Sequence, residues 1–393
     1  MVRVIVIGGG IAGTAAALGL HKAGFDVSVY EAYPDGAEDI GAFLTLASNG
    51  MRALAALGAS VAVTAIGYPL TTLRVLDGSG AEVANAPLGE SGDPLLRYRC
   101  LRRGELNAAL QAEVARRGIS IRHGARLASV EEGPSAVTAH FTGGATATGD
   151  LLVGADGLRS TVRRLIAPGA EPLHAGQRVF YGYADHAAPA GAPGTITMVR
   201  GGAAAFGCAM SPAGETYWFA RVAGEPPAAD EIAQSTPTRW REPLVELLRK
   251  DATPAAGIVA ATGDRIMVTG ATEMPLGMPW RSGRVLIVGD AAHAASPATG
   301  QGASMALEDA VVLAKALRDT PDTGSALALY ETLRRPRVEY NIAASGRISR
   351  AATAPPGPAR GQAARRPGDD ELIRHLEWDA DIRTGCAHGG GGG

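Results

Sequence analysis

The 393-residue sequence has few cysteines and no long apolar run. Cys100, Cys208 and Cys386 are far apart and form no CxxC pair, which argues against a disulfide scaffold and against a dithiol redox relay. No apolar run reaches the roughly eighteen residues of a membrane-spanning helix, and no basic segment precedes an apolar stretch at the start. We therefore expect a cytoplasmic protein without a membrane partner, whose cysteines are reduced and mostly buried.

An excess of charge of one sign is also lacking. Lysine and arginine together number 37 and aspartate and glutamate 39, which gives a net charge of −2, so the totals do not favour a nucleic-acid partner. We expect the ligand to be a small molecule. A chain of this length is typical of two domains, or of one large α/β domain with an insertion.

What is present begins with a βαβ nucleotide-binding pattern. An apolar strand over residues 2–7 leads into Gly8, Gly10 and Gly13, then into an apolar helix and a second strand that ends at Glu31. Gly8 permits the tight turn, Gly10 the approach of backbone to a pyrophosphate, and Gly13 close packing of helix on sheet. The amides of the helix N-terminus then face the phosphates, and Glu31 is placed to accept the 2′-hydroxyl of an adenosine ribose.

Two further apolar strands end in glycine and aspartate. One leads into Gly154-Ala155-Asp156-Gly157 and the other into Gly289-Asp290. Ligands of α/β proteins bind at such strand ends. A glycine loop at 300–303 then runs into an apolar helix, which makes a second candidate anion-binding helix start.

The intervening segments have a different pattern. Residues 70–88 and 180–222 alternate β-branched and aromatic residues between turn signals, which predicts an antiparallel sheet, and residues 230–250 predict a helix that covers it. Residues 103–117 have the spacing of an amphipathic helix. Beyond residue 345 the chain is rich in proline and glycine and cannot bury much, apart from a short helix predicted near 371–378.

Together, three separated motifs resemble the class A flavoprotein monooxygenases, the aromatic-ring hydroxylases typified by para-hydroxybenzoate and salicylate hydroxylases. The motifs are the N-terminal glycines with their acid, the mid-chain Gly-Ala-Asp-Gly, and a late Gly-Asp-Ala-Ala-His-x-x-x-Pro that ends at Pro297. The resemblance extends from Val2 to about Arg337. It implies an α/β class: a Rossmann-like GR2-type FAD-binding fold, para-hydroxybenzoate hydroxylase-like, with an inserted antiparallel β-sheet substrate domain.

The resemblance also implies domain boundaries. A discontinuous FAD-binding domain would comprise residues 1–69, 98–178 and 268–345. A substrate-binding β-sheet domain would comprise 70–97 and 179–267, and a partly flexible C-terminal segment would follow at 346–393.

The resemblance implies FAD as cofactor and specific residues for binding it. The arginine at 103 would contact the FAD phosphates, for which its planar fork of donors is suited, and the aspartate at 290 would accept a ribityl hydroxyl. Residues 300–303 would run beneath the isoalloxazine ring. The implied cofactor-binding residues are Gly8, Gly10, Gly13, Glu31, Arg103, Asp156, Gly157, Asp290, Pro297, Gly300, Gly302 and Ala303.

Two positions near the late motif are not assigned to the cofactor. His293 can titrate near neutrality, but we expect it to be a packed donor that fixes its loop, because a flavin needs no protein nucleophile. Ser304 departs from the asparagine of many relatives, so we assign it no side-chain contact with the flavin.

The activity that the resemblance implies is hydroxylation of an aromatic or electron-rich small molecule through a flavin C4a-hydroperoxide, with O2 and NADH or NADPH consumed. No second G-x-G-x-x-G occurs, so we expect the nicotinamide donor to dock transiently on the FAD domain, in a single-component class A arrangement. No catalytic residue and no metal site is predicted. Large side chains of the inserted sheet would keep the site dry, and the predicted substrate-lining residues are Tyr183, Phe206 and Tyr217.

Other functions of the same scaffold remain open. A flavin-dependent halogenase is disfavoured because none of the four tryptophans is two residues from another, so no Trp-x-Trp motif exists. A reductase and a non-catalytic FAD-binding protein are further alternatives. The sequence does not choose between hydroxylation, epoxidation and oxygen insertion, between NADH and NADPH, or between a monomer and a homodimer.

Overall fold

The computed structural model describes residues 1–34, 42–90, 92–185, 191–202, 204–351 and 369–383. The strands are β1 Arg3–Ile7, β2 Asp26–Tyr30, β3 Phe43–Leu46, β4 Tyr68–Leu70, β5 Thr72–Asp77, β6 Glu82–Pro87, β7 Tyr98–Arg102, β8 Ser120–Arg122, β9 Leu127–Glu132, β10 Val137–Phe141, β11 Thr146–Gly149, β12 Leu151–Gly154, β13 Leu173–Ala184, β14 Thr195–Arg200, β15 Ala205–Met210, β16 Thr216–Ala223, β17 Thr262–Glu273, β18 Arg281–Ser282 and β19 Val285–Ile287.

The α-helices are α1 Ile11–Lys22, α2 Ser48–Ala56, α3 Ser60–Thr64, α4 Arg103–Arg116, α5 Thr161–Ile166, α6 Ala229–Gln234, α7 Pro237–Leu248, α8 Ala255–Ala260, α9 Asp290–His293, α10 Gly302–Asp319, α11 Thr323–Ala351 and α12 Asp369–Leu376. Two short 3₁₀ turns lie at Pro94–Leu96 and Pro297–Thr299.

A six-stranded sheet of order β18-β19-β12-β1-β2-β8 forms the nucleotide-binding half of the fold. Its strands are parallel except for β18 against β19. Both β1 and β12 are apolar and buried almost throughout, as expected for parallel strands that are covered on both faces. The carboxyl ends of β1, β12 and β19 therefore meet at one edge, where the three sequence motifs begin.

Helices α1 and α10 pack very closely against each other. A Cβ atom at Gly19 of α1 would lie 2.8 Å from the carbonyl oxygen of Ala310 in α10, so the two backbones approach directly. Helix α10 is buried from Ser304 to Leu317, which makes it the central helix of the main apolar core.

A seven-stranded sheet of order β17-β13-β16-β15-β14-β5-β6 forms the second layer system. The predicted antiparallel sheet is present with one difference: β14 and β5 are parallel, because β5 enters from the separate segment near residue 72. One face of this sheet packs against α7 and α8, and the other faces the small sheet β3-β7-β4. The division into domains at 70–97 and 179–267 remains our proposal.

The C-terminal segment contributes a docked helix. α12 follows the predicted position closely, and Leu372 and Leu376 are buried in the main core. Lys315 of α10 donates to the carbonyl oxygens of His375 at 3.0 Å and Glu377 at 2.5 Å. The proline-rich and arginine-rich stretches between 352 and 368 lie outside the described residues.

The cysteines and the membrane expectation can also be compared with the structure. Cys100 and Cys208 are free and buried, whereas Cys386 lies outside the described residues. Within the part of the chain that the structure describes, no helix combines the length and apolarity needed to cross a membrane.

Candidate functional site

The first glycine motif forms a tight turn that packs on the second motif. Gly8 has φ +105°, and a Cβ there would lie 2.4 Å from the carbonyl oxygen of Ala155. A Cβ at Gly13 would lie 1.9 Å from the carbonyl oxygen of Gly8, so helix α1 can pack on β1 because this residue has no side chain. Around Gly10, by contrast, a Cβ would meet no atom within 4 Å. The space beside Gly10 is therefore open to a ligand.

Glu31 is held against this turn by backbone donors. Its carboxylate accepts from the N–H of Gly9 at 2.6 Å and from the N–H of Tyr33 at 2.9 Å. Gln111 of α4 donates to the carbonyl oxygen of Gly9 at 2.8 Å, a contact that sequence analysis missed. Each carboxylate oxygen can accept a second hydrogen bond, so Glu31 keeps acceptor capacity for a ribose hydroxyl.

Asp156 caps a helix. It accepts from the hydroxyl of Ser160 at 2.5 Å and from the N–H groups of Thr161 at 2.7 Å and Val162 at 3.1 Å. Burial raises the pKa of Asp156, and these hydrogen bonds oppose the shift. The adjacent Gly157 has φ +72° and open space where a Cβ would lie. Asp156 thus shapes the loop with its own side chain, and Gly157 is the member of the pair that faces free space.

Arg163 links the second motif to the third, and sequence analysis missed it. Its buried guanidinium donates to the carbonyl oxygens of Leu158 at 2.6 Å, Ala170 at 3.0 Å and Ala291 at 3.1 Å. The sequence signal that could have identified it is Ser160 as the N-cap of α5, because an N-cap serine accepts from the N–H three residues on, here that of Arg163 at 2.9 Å.

The third motif places an exposed carboxylate next to α1. Gly289 has φ +59°, and a Cβ there would lie 2.7 Å from the Cβ of Ala12. Asp290 follows as the first residue of α9; it is exposed and has no hydrogen-bond or ion-pair partner among the residues that the structure describes. The three motifs therefore meet at one edge of the parallel sheet.

The late glycine loop lies beside β3. Pro297, Gly300 and Gly302 are exposed and Ala303 is half-buried. Gly300 has φ +64°, and a Cβ there would lie 3.3 Å from the hydroxyl of Thr45. A Cβ at Gly302 would meet no atom within 4 Å, so the start of α10 also faces open space.

Ser304, the next residue, is turned away from this open space. It is fully buried, and its hydroxyl accepts from the N–H of Ala47 at 3.2 Å. The sequence analysis assigned it no contact with the flavin, and the structure gives its side chain a partner within the chain.

A fully paired network of buried charges lies beneath α10. Glu308 accepts from Arg334 at 2.6 Å, from Arg337 at 2.9 Å and from the amide of Asn49 at 2.6 Å. Burial by itself raises the pKa of Glu308, but the two arginines outweigh it and lower the pKa. Neither arginine was identified as a structural residue from the sequence.

Asp309 extends this network to the third motif. It accepts from Arg334 at 2.8 Å, from the N–H of Gly289 at 3.0 Å and is 2.5 Å from Nε2 of His293. Burial raises the pKa of Asp309, but His293 and Arg334 overcome that effect and bring it to about 2. His293 is itself buried and fixes the loop, as the sequence analysis expected of a packed donor.

Arg103 begins α4 with an exposed side chain, and its N–H donates to the carbonyl oxygen of Ala42 at 3.1 Å. Its neighbour Arg102, which sequence analysis passed over, reaches the large sheet. The guanidinium of Arg102 lies 2.7 Å from Glu215 and 4.9 Å from the ring centroid of Tyr183. The two arginines are thus placed at the junction between the two halves of the fold.

Tyr183 and Tyr217 lie on the face of the large sheet that is turned towards β3-β7-β4. Their ring centroids are 4.9 Å apart. Burial raises the pKa of Tyr183 to about 12 and also raises that of Tyr217, while the charge of Arg102 opposes both shifts. The hydroxyl of Tyr183 is buried and has no partner among the described residues, so it is a neutral donor available to a ligand.

Phe206 lies on the other face, and the expectation that it lines the substrate site is corrected. It is fully buried in the cluster that packs against α7 and α8, with its ring stacked on Trp218 at 5.9 Å. Successive residues of a strand point to opposite faces, so Phe206 and Trp218 share the helix-covered side while Tyr217 points away from it.

The residues of the converged motifs fit an FAD. Open space lies beside Gly10 and Gly302, where helices α1 and α10 begin and their first amides have no partner within the helix. The dipoles of both helix starts favour a negatively charged ligand group. Glu31 and Asp290 supply carboxylate acceptors for sugar and ribityl hydroxyls.

Comparison with known proteins gives the same picture. The family model described as FAD binding domain matches residues 1–345. The chain is 31% identical to the aurachin C monooxygenase/isomerase of Stigmatella aurantiaca over 88% of each chain. It is 33% identical to the FAD-dependent urate hydroxylase of Klebsiella pneumoniae over 86% of each chain. A crystal structure of Klebsiella pneumoniae HpxO with FAD and uric acid superposes with a TM-score of 0.79 at 28% identity, covering 98% of this chain and 94% of that one. The chain therefore belongs to the FAD-binding-domain family of class A flavoprotein monooxygenases, with FAD as its cofactor.

Proposed function

We propose that the protein uses FAD, O2 and NADH or NADPH to hydroxylate an aromatic or electron-rich small molecule. The observation that carries the proposal is the convergence of three glycine-and-acid motifs at one edge of the parallel sheet. The late glycine loop lies beside β3, and β3 packs on the aromatic face of the second sheet. FAD, when bound, supplies the chemistry, since it accepts electrons from a nicotinamide and activates oxygen for transfer to the substrate ring.

Within this proposal the chain positions the adenosine and pyrophosphate end of the cofactor at four places. The turn containing Gly8, Gly10 and Gly13 binds the pyrophosphate with the amides of α1, and Glu31 binds the adenosine ribose. Gly157 leaves room beside the cofactor. The guanidinium of Arg103 is exposed and can reach a phosphate oxygen.

The flavin end of the cofactor belongs to the third motif and the late glycine loop. Asp290 accepts a ribityl hydroxyl with its unpaired carboxylate. The exposed loop from Pro297 to Ala303 brings the first amides of α10 towards the ring, where they can stabilise negative charge that develops on it. Asn49 links this loop to the network beneath α10, since its amide donates both to Gln301 at 3.0 Å and to Glu308 at 2.6 Å.

On the substrate side, Tyr183 and Tyr217 belong to an apolar face that keeps water out. Phe43 of β3 closes the same face, with its ring centroid 5.6 Å from that of Tyr217. Exclusion of water matters because activated oxygen would otherwise be lost without transfer to the substrate. The hydroxyl of Tyr183 is a neutral donor that can orient a polar group of the ring.

Relatives guide the proposed substrate class. Their names specify aurachin C, urate, and 3-amino-4-hydroxybenzoate, the last for a Streptomyces cremeus monooxygenase that is 30% identical over 96% of this chain. From these names we propose a ring that carries nitrogen or oxygen donor substituents.

A turnover screen tests the proposal. Purified protein should carry or take up FAD, and a phenol, aminophenol or heteroaromatic substrate should accelerate NAD(P)H oxidation. Mass spectrometry under ¹⁸O2 should then show one labelled oxygen atom in the product. Protein that binds no flavin, or that oxidises NAD(P)H without labelling any compound of the screen, would contradict monooxygenase activity; a halogenated product in the presence of halide would favour the halogenase alternative.

Variants test the assignment of the cofactor residues. Asp290→Asn and Arg103→Ala should each lower FAD occupancy, measured as the ratio of flavin to protein absorbance after gel filtration. Asp264→Asn and Arg249→Ala, which change exposed charges in β17 and just after α7, are the matched controls and should retain full occupancy. Unchanged occupancy in the first pair would remove these residues from the proposed site.

A further inference from the structure

One buried arginine has no hydrogen-bond or ion-pair partner among the residues that the structure describes. Arg221 of β16 is 5% exposed, and its Nε and Nη1 atoms are buried without a hydrogen-bond partner among the residues that the structure describes. Burial lowers the pKa of Arg221, and the opposing contribution comes from the hydroxyl of Tyr181 rather than from a carboxylate. A guanidinium nevertheless stays protonated in proteins, so this residue is a buried positive charge.

The other buried arginines are all satisfied, which makes Arg221 exceptional within the described part of the chain. Arg163 and Arg99 donate to backbone carbonyl oxygens. Arg334 and Arg337 are paired with buried carboxylates. Because this fold pairs its structural arginines internally, the partner of Arg221 is expected to come from outside the chain.

The position of Arg221 in the sheet places it on the proposed substrate face. Residues 217, 219, 221 and 223 of β16 alternate to the same side, and Arg221 follows Tyr217 and Phe219 along that face. The guanidinium carbon lies 6.0 Å from the ring centroid of Phe219. Burial raises the pKa of Tyr181 on β13 to about 12, and the positive charges of Arg221 and Arg103 oppose this shift.

A second unpaired polar group lies beside it. Gln177 is fully buried, and both its amide nitrogen and its amide oxygen are without partners among the described residues. Gln177 is opposite Ala223 in the sheet register, and Val179 is opposite Arg221, so Gln177 and Arg221 are diagonal neighbours on one face. Two neighbouring polar side chains thus offer donors that the chain itself does not use.

We propose that Arg221 and Gln177 form an anion-recognition site for the substrate, and that the substrate is an aromatic compound with a carboxylate group. This inference rests on the proposed function and specifies the substrate class. The planar fork of the guanidinium matches the two oxygens of a carboxylate, and the amide of Gln177 adds a further donor. The carboxylate neutralises the buried charge, while the aromatic ring lies along the face of Tyr183 and Tyr217.

The test uses FAD-loaded protein and matched pairs of probes. Benzoate, 2-aminobenzoate and 4-hydroxybenzoate are each titrated beside the corresponding neutral carboxamide, and binding is followed by perturbation of the flavin absorbance spectrum. The wild type should bind carboxylates roughly 10- to 100-fold more tightly than carboxamides, as expected for charge-assisted hydrogen bonds to a desolvated partner. Equal affinities, or no binding of any carboxylate probe, would overturn the proposal.

Variants then assign the preference to the site. Arg221→Met should abolish the preference for carboxylates over carboxamides. Carboxylate binding should weaken, while carboxamide binding and FAD content stay unchanged. Arg221→Lys should keep part of the carboxylate preference, since the positive charge remains but the planar guanidinium is lost. Gln177→Leu should weaken carboxylate binding several-fold. Arg178→Met is the control, because Arg178 pairs with Glu231 and points to the opposite side of β13. A carboxylate preference that survives in Arg221→Met would overturn the assignment.

The two proposals fail in different ways. If the protein hydroxylates an aromatic compound but binds carboxylates no more tightly than carboxamides, or keeps a carboxylate preference in Arg221→Met, the anion site is wrong while the monooxygenase proposal stands. If carboxylates bind with the predicted dependence on Arg221 but no compound is oxygenated, the anion site stands and the proposed function fails.

Discussion

The charges beneath α10 and the charge on the substrate face are buried to a similar extent but are balanced differently. Glu308 and Asp309 are fully buried, and each is held by at least one arginine of α11. Arg221 is nearly as buried and has no partner in the described chain. Within the described chain, the first region satisfies its own charges and the second does not.

The difference in pairing distinguishes buried charges that stabilise the fold from a buried charge that we propose binds a ligand. A buried ion keeps a large desolvation cost unless it is paired, so a fold that leaves one unpaired accepts a loss of stability. Such losses are concentrated at binding and catalytic sites. The network beneath α10 positions the third motif through Gly289 and His293, whereas Arg221 and Gln177 on the proposed substrate face have buried donors without a partner among the described residues.

Removal of a network arginine should have the largest effect. Arg334→Met leaves Glu308 with one arginine fewer and Asp309 without its guanidinium, and we expect the free energy of unfolding to fall by about 3–5 kcal/mol. Urea denaturation followed by circular dichroism measures it. Arg74→Met, which breaks an exposed pair with Glu82, is the control and should cost less than about 1 kcal/mol. A loss of that smaller size for Arg334→Met would mean that the network is not a structural element.

Gly13 and Gly10 of the first motif show a similar contrast, because one is closely packed within the fold and the other faces open space. A methyl group at Gly13 would lie 1.9 Å from the carbonyl oxygen of Gly8, whereas one at Gly10 would meet nothing. Gly13→Ala should therefore lower the free energy of unfolding by up to about 3 kcal/mol. Gly10→Ala should change it by less than about 1 kcal/mol and instead weaken FAD binding, because the methyl group enters the space kept for the pyrophosphate.

Apo-protein denaturation and flavin fluorescence titration measure the two effects separately. If Gly10→Ala binds FAD with the affinity of the wild type, the cofactor does not approach the turn at this residue. If Gly13→Ala is as stable as the wild type, the close packing of α1 on β1 is not needed for the fold.

These contrasts show what the sequence can predict. The glycine motif could be predicted because the need for a positive φ or a missing Cβ is local and has a fixed spacing. The face on which Phe206 lies could not be predicted. The alternation of a strand shows that neighbouring side chains point to opposite faces, but it does not show which of them lies on the face that the helices cover. The pairing of Glu308 with Arg334 depends on packing of α10 against α11, and the unpaired state of Arg221 depends on every strand around it. Neither property is visible in the sequence.

Acid should weaken the network in a defined pH range. The pKa of Asp309 is about 2 in the folded protein against an ordinary value of 3.8. A lowered folded-state pKa contributes stability that is present above the unfolded value and is lost as pH falls towards the folded value. Urea midpoints should therefore decrease between pH about 4 and about 2, and this decrease should be shallower in Asp309→Asn. An identical slope in the variant would assign the acid sensitivity to other carboxylates.

Of the substitutions considered, Arg221→Met should change the stability of the ligand-free protein least, although it should change ligand binding most. Arg221→Met replaces a buried cation by an apolar side chain of similar length, so it removes a desolvation cost and breaks no hydrogen bond or ion pair of the described chain. We expect the urea midpoint of the ligand-free protein to stay the same or rise, opposite in sign to Arg334→Met. A carboxylate ligand should then stabilise the wild type but not the variant, because the variant lacks the charge that the ligand neutralises. A large loss of stability in ligand-free Arg221→Met would place this arginine with the structural charges instead.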